Sequence, residues 1–146
     1  MTSSWILLAL LGMSVVSALV PVVNAEALVL AAAAAVGTDL AVAVAVPAAA
    51  GQMAGKGLLY AGGRGLSGTV SARSPRAAAL AERFHGRPRA LLLVCLASAV
   101  VGLPPFFAMT VVAGLVGLHA AAFLAVGLLG RFVRFYALAA APALLA

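Results

Sequence analysis

Apolar residues run through this chain in long blocks, and the segments between blocks are short and either polar or helix-breaking. Residues 5–20 are predominantly apolar. As a helix they reach about 24 Å, short of the roughly 30 Å of hydrocarbon in a bilayer. Pro21 stops this block, Val22-Val23-Asn24-Ala25-Glu26 follows, and a second short block over 27–36 ends at Gly37-Thr38-Asp39. Two short apolar helices around a Pro/Asn/Glu turn predict a re-entrant hairpin over residues 5–36, since irregular backbone at membrane depth needs protein or water to satisfy it. Residues 40–62 are long enough to span, and Pro47 within them is expected to bend the helix. The block at 90–101 is again too short. Gly102-Leu103-Pro104-Pro105 breaks it and an arm at 106–116 follows, which predicts a second hairpin over 90–116. Residues 119–146 form the last span. Pro21, Pro104 and Pro105 mark the hairpin turns.

Between span and second hairpin the character changes. Residues 63–89 hold Arg64, Arg73, Arg76, Arg83, Arg87 and Arg89 against Glu82 alone. Such a bias marks a cytoplasmic loop and attracts anionic lipid heads. Ser74-Pro75 resembles a helix start, so residues 77–84 are expected to form a short helix on the membrane surface. If each hairpin returns to its own side, Ser71 and Ala146 lie on opposite faces. Val23-Asn24-Ala25 also resembles a small-residue cleavage site, but Met1-Thr2-Ser3-Ser4 lacks the positive charge of a signal peptide.

Composition agrees with lipid as the solvent. Of 146 residues, 66% are apolar and 8% charged, with a mean hydropathy of +1.23; a soluble domain carries roughly 25% charged residues. The expected fold is therefore a single all-α integral membrane domain over residues 1–146, with two re-entrant hairpins and two or more transmembrane helices. The net charge of +6 follows from the basic loop, and no basic amphipathic domain exists to bind nucleic acid. All but one of the nine basic residues are arginine, amid abundant Ala, Gly and Val. This is the composition of a GC-rich genome. Separately, a multi-pass protein of the cell (inner) membrane of a bacterium is expected. Cys95 and Ser98 have no base nearby in sequence, and His85 and His119 have no thiolate partner. The chain is accordingly read as non-enzymatic, with no metal and no cofactor.

The two halves echo each other. Gly55-Lys56 with Tyr60 matches Gly130-Arg131 with Tyr136, and Gly37-Thr38-Asp39-Leu40-Ala41 matches Gly117-Leu118-His119-Ala120-Ala121. An odd number of crossings between halves makes such a repeat inverted, the arrangement in which transporters hold substrate at the midplane. Chance likeness between Ala/Leu/Gly-rich segments is the competing explanation.

Ionisable groups inside membrane segments are costly and mark function. Glu26, Lys56, Arg131 and Arg134 are such groups, with Asp39 and His119 at segment ends. One reading joins Glu26, Asp39, Lys56, Arg131 and Arg134 in a polar cavity whose cations hold a phosphate, which the planar arginine fork suits. In the other, Glu26 caps the helix after it, the arginines pair with Glu26 or snorkel, and Lys56 snorkels toward Arg64. His119 sits at a helix start or relays a proton. Trp5, Tyr60 and Tyr136 are expected at the interface, and Gly51, Gly55, Gly127 and Gly130 at close helix contacts.

Four stretches in order carry a family resemblance. They are Pro21 to Glu26 opening onto a small-residue helix; Gly51-x3-Gly55-x4-Tyr60-x2-Gly63-Arg64; Gly102-Leu103-Pro104-Pro105 leading to Ala113-Gly114; and Gly130-Arg131-x2-Arg134-Phe135. They cover most of the chain, which resembles the DedA/VTT superfamily of SNARE-associated Golgi proteins and its small YqaA-like branch. The resemblance implies two re-entrant hairpins meeting in the membrane and movement of phospholipid or polyprenyl phosphate between leaflets. It also implies an acidic residue at the first hairpin, matched by Glu26, and a second about a dozen positions on, matched by Asp39. Many members carry arginines around the second hairpin's proline, whereas Val100 to Phe107 has none.

The function expected from all this is a transporter or scramblase of a phosphate-headed lipid. Its partners would be anionic or phosphate-headed membrane lipids, with a homodimer plausible for so short a chain. The alternatives are a proton-coupled transporter of a small ion or solute, or a non-transporting scaffold subunit.

Overall fold

The computed structural model describes residues 2–145. Every regular element among them is helical: α1 (Thr2–Leu19), α2 (Ala25–Val36), a 3₁₀ turn (Thr38–Leu40), α3 (Ala41–Gly65), α4 (Ser67–Arg73), α5 (Pro75–Phe84), α6 (Pro88–Val101), α7 (Phe106–Val116) and α8 (Ala120–Leu145). Three of these helices, α1, α3 with its 3₁₀ lead-in, and α8, are long and apolar enough to cross a membrane. The chain is thus an all-helical membrane protein. The apolar blocks became the expected helices, with differences at the ends. At 18 residues, α1 is longer than the block suggested, because Thr2 to Ser4 join its first turn. α3 continues through Pro47, and most of the basic segment is helical rather than loop.

The described residues divide into two compact units. Unit 1 is 1–55 with 131–146, and unit 2 is 56–130, so the division falls within α3 at Gly55–Lys56 and within α8 at Gly130–Arg131.

In unit 1, α1 and α2 pack together as a hairpin. Between them residues 20–24 turn, and Asn24 ends the turn by accepting hydrogen bonds at Oδ1 from the backbone N–H groups of Glu26 (2.9 Å) and Ala27 (3.4 Å). Asn24, and not Glu26, is therefore the cap of α2, because its short amide reaches back to the free N–H groups of the first turn. The core is built of small side chains. Ala25, Val29, Ala32 and Ala33 of α2 meet Ala41, Val44, Ala45, Ala48 and Ala49 of α3, with Leu10 of α1 and Phe135 and Ala139 of α8. Lipid tails are as apolar as these residues, so close packing rather than water exclusion holds the helices together. Gly51 and Gly55, one turn apart, make the closest approach. A side chain at Gly51 would strike the Leu11 carbonyl oxygen and lie 2.9 Å from Ser14 Cβ; one at Gly55 would lie 2.5 Å from Ala18 Cβ.

Unit 2 is richer in aromatics. α6 and α7 pack as a second hairpin around Gly102 to Pro105, and α4 and α5 pack on α7. Gly102 ends α6 with a φ of 91°, a left-handed conformation cheap only for glycine. Ser98 donates its hydroxyl proton to the Pro104 carbonyl, and Thr110 donates to Phe106 (2.8 Å). Tyr60, Phe123 and Phe106 stack in sequence, with centroids 5.2 and 6.0 Å apart. Tyr60 was expected at the interface but is buried, and its hydroxyl donates to the Leu118 carbonyl. A ring with an inward hydrogen-bond partner gains more from the stack than from the headgroup zone. Trp5 and Tyr136 are exposed, as an interface role requires. Gly63 and Gly114 bring α3 and α7 together, a Cβ on Gly63 falling 3.0 Å from the Val111 carbonyl oxygen. Ser74 caps α5 through Ala77 N–H (3.4 Å), with Pro75 at its first position. α5 packs on α7.

Candidate functional site

Unit 1 brings three of the sequence-derived site residues onto neighbouring elements. Glu26 stands in the first turn of α2, where the N–H groups and dipole of the helix favour a negative charge. Because Asn24 already satisfies the cap, the Glu26 carboxylate is released to a distant partner. That partner is Arg134 of α8, whose Nε donates to Oε1 of Glu26 at 2.9 Å and whose Nη2 donates to the same oxygen. Both groups are partly exposed, Arg134 at 22% and Glu26 at 39%. Both donors meet the same carboxylate oxygen, so Arg134 holds Glu26 through Oε1.

Arg131 lies three residues before Arg134 on the same helix and therefore on a neighbouring face. Its guanidinium stands 5.8 Å from the centroid of the Phe135 ring, within range of cation–π attraction. The cluster holds two guanidinium groups and one carboxylate, an excess of one positive charge within apolar helices. Two arginine forks can hold a tetrahedral anion, while Glu26 balances one of them.

The remaining candidates lie elsewhere. Asp39 is exposed on the 3₁₀ turn and joins no ion pair among the described residues. It borders a groove of about 690 Å³, otherwise almost entirely apolar, between α1 (Leu7, Leu8, Leu11) and α3 (Val42, Val46). Lys56 belongs to unit 2. It is 4% exposed, and its ammonium stands 4.9 Å from the centroid of the Phe107 ring. His119 is exposed at the start of α8, where its carbonyl accepts from Phe123 N–H at 3.0 Å. Gly127 is buried, and a Cβ on Gly130 would lie 2.5 Å from Ala99 Cβ. Pro21, Pro104 and Pro105 are exposed at the hairpin turns. No group of His, Cys, Asp and Glu able to hold a metal exists among the described residues.

One polar cluster escaped the sequence reading. Gln52 donates from Nε2 to the Ser14 carbonyl (3.3 Å) and to the Ser17 hydroxyl, and Ser17 donates to Ser14 O (2.9 Å). All three side chains are buried between α1 and α3. The available signal was register: Gln52 follows Gly51 on the face that Gly51 and Gly55 press against α1, and Ser14 and Ser17 are three apart.

No protein-family model, curated protein or solved structure matches this chain.

Proposed function

We propose that the protein moves a phosphate-headed lipid, a phospholipid or a polyprenyl phosphate, between the leaflets of a bacterial inner membrane. The observation that carries this reading is the Glu26–Arg134 pair with Arg131 beside it on α8. An arginine in the middle of a membrane helix is disfavoured by at least about 2.5 kcal/mol. Two in one helical turn with a single carboxylate leave a positive excess that a phosphate diester or monoester offsets. Its oxygens fit the two-donor fork that Arg134 already presents to Glu26. In this reading Glu26 holds the site while it is empty and yields Arg134 to the lipid phosphate.

Several features support the finer architecture. α2, α6 and α7 span only about 16–21 Å as helices, less than the hydrocarbon core, which suits re-entrant arms. Each unit holds one hairpin, and the division of the chain falls at Gly55–Lys56 and Gly130–Arg131, the two steps that echo in the sequence. Both points favour an inverted repeat. The ordered motifs that resemble the DedA/VTT superfamily favour the same function, with Arg131 and Arg134 standing in for the arginines missing around Pro104.

The test is lipid flux in liposomes containing the purified protein and a fluorescent phospholipid. Wild type should equilibrate the probe between leaflets, and the double variant Arg131→Leu/Arg134→Leu should not. Full flux in the double variant overturns the reading. A proton-coupled transport of a small solute is the second reading, favoured by the partial exposure of the Glu26 carboxylate. Solute uptake that follows an imposed pH gradient and stops in Glu26→Gln, with no lipid flux, would select it.

A further inference from the structure

We infer that unit 2 carries a separate binding site for a primary ammonium group, of the kind an ethanolamine headgroup presents, where α4, α5 and the end of α7 meet. A pocket of about 240 Å³ opens there, lined by Ser67 and Ser71 of α4, Glu82 of α5, His85 just beyond it, and Leu115 and Val116 of α7. Its size is below the usual range for drug-sized ligands and fits a headgroup. Local structure builds it. Ser74 caps α5 and sets its direction, and α5 packs on α7. The His85 N–H then closes the last turn onto the Glu82 carbonyl (3.2 Å), and Gly86 at φ 72° turns the chain away toward α6. Glu82 and His85, three residues apart, are thereby held on the same side of the pocket.

The charge pattern selects the ligand. Six arginines and one carboxylate occupy residues 63–89, yet Glu82 forms no ion pair among the described residues and turns to a pocket that no arginine lines. The result is an acidic hollow within a basic stretch of the chain. A primary ammonium brings three N–H donors. The pocket offers a carboxylate, two hydroxyl oxygens and an imidazole nitrogen able to accept them. A quaternary ammonium has no N–H to give and is bulkier. Arg73, Arg76, Arg83 and Arg87 lie within the same stretch of sequence and suit the phosphate of the same headgroup, which makes a zwitterionic ethanolamine lipid the better fit over a purely anionic one. This inference is independent of the transport reading, since it concerns other residues and is measured by binding.

The experiment uses the full chain in nanodiscs of equimolar phosphatidylethanolamine and phosphatidylcholine with matched acyl chains. Lipids retained on extraction are counted by native mass spectrometry. Wild type should retain the ethanolamine lipid about ten-fold over the choline lipid, the effect of one charge-assisted hydrogen bond. Glu82→Gln should abolish the preference and Ser71→Ala should lower it. Glu82 is exposed and contributes only its backbone to the helix end, so the variant keeps the fold, and unchanged melting verifies this. Adding free ethanolammonium tells the sources apart. Displacement of the lipid assigns the site to the amine alone, and persistence of the preference assigns it to the whole headgroup. Equal retention of the two lipids by wild type, or a preference that survives Glu82→Gln, overturns the inference. Glu26→Gln should leave the preference intact while changing flux, so failure of one site does not carry over to the other.

Discussion

Arg134 reaches 108 positions back along the chain to hold one oxygen of Glu26 through two of its nitrogens. The pair joins the last helix to the first turn of α2, so it is at once a structural tie in unit 1 and a partly exposed charged pair.

Arg134→Lys should keep the protein folded and lower lipid flux several-fold. Lysine retains the charge but replaces a planar two-donor fork with a single mobile ammonium. Glu26→Gln and Arg134→Leu, combined in a double-mutant cycle on melting temperature, should show a coupling of about 0.5–2 kcal/mol, toward the lower end because both groups are partly exposed. Additive effects of the two changes would mean that the tie contributes nothing to stability.

Cap and tie can be separated. Asn24→Ala should destabilise by about 1 kcal/mol through loss of the α2 cap, whereas Asn24→Asp should be close to neutral, since both residues cap well. Hydrogen exchange at Glu26 and Ala27 should rise in Asn24→Ala and stay unchanged in Glu26→Gln. Equal protection loss in both variants would show the cap to depend on the carboxylate.

Helix approach in unit 1 makes a graded prediction. Gly51→Leu and Gly55→Leu place atoms on the α1 backbone and should each cost about 1–3 kcal/mol, read as lost monodispersity and melting temperature in detergent. Gly12, with nothing within 4 Å of a Cβ, should accept alanine with no loss and a small gain in helix propensity. Tolerance of leucine at Gly51 would show that α1 does not sit against α3 at this distance.

Hairpin depth can be read by cysteine labelling. Cys95 is fully buried, so native background should be low. Leu103→Cys, at the exposed tip between α6 and α7, should react with an impermeant maleimide more slowly than Ser71→Cys from either face. Rapid labelling from the face opposite Ser71 would mean that α6 and α7 each cross the membrane.

Much of this was legible in the sequence. Pro21, Gly37, Gly102 and Pro104–Pro105 punctuate the apolar blocks, and the helices end there. Ser74-Pro75 opens a helix as its chemistry requires. What hydropathy could not show is which side of each helix faces protein. In water a helix is apolar only where it is buried, but in α1, α3 and α8 both lipid-facing and core-facing positions are apolar, so no stripe points inward. Tyr60 was for that reason assigned to the interface and found in an aromatic stack, and Gln52 with Ser14 and Ser17 went unread. The choice of Arg134 over Arg131 as the partner of Glu26 depends on the packing of α8, which a spacing of three residues does not encode. Asn24 precedes α2 and has the chemistry of a cap, whereas the sequence reading offered a cap only at Glu26, as the alternative to a functional role.

The alanine-lined contact between α2 and α3 has a mechanical side. Methyl groups form shallow ridges, so the close contact between the two helices is smooth and leaves their axial register to more specific interactions. On such a smooth bearing the Glu26–Arg134 pair acts as a detent that fixes where α2 rests. Without that pair, the smooth contact alone would set the register of α2.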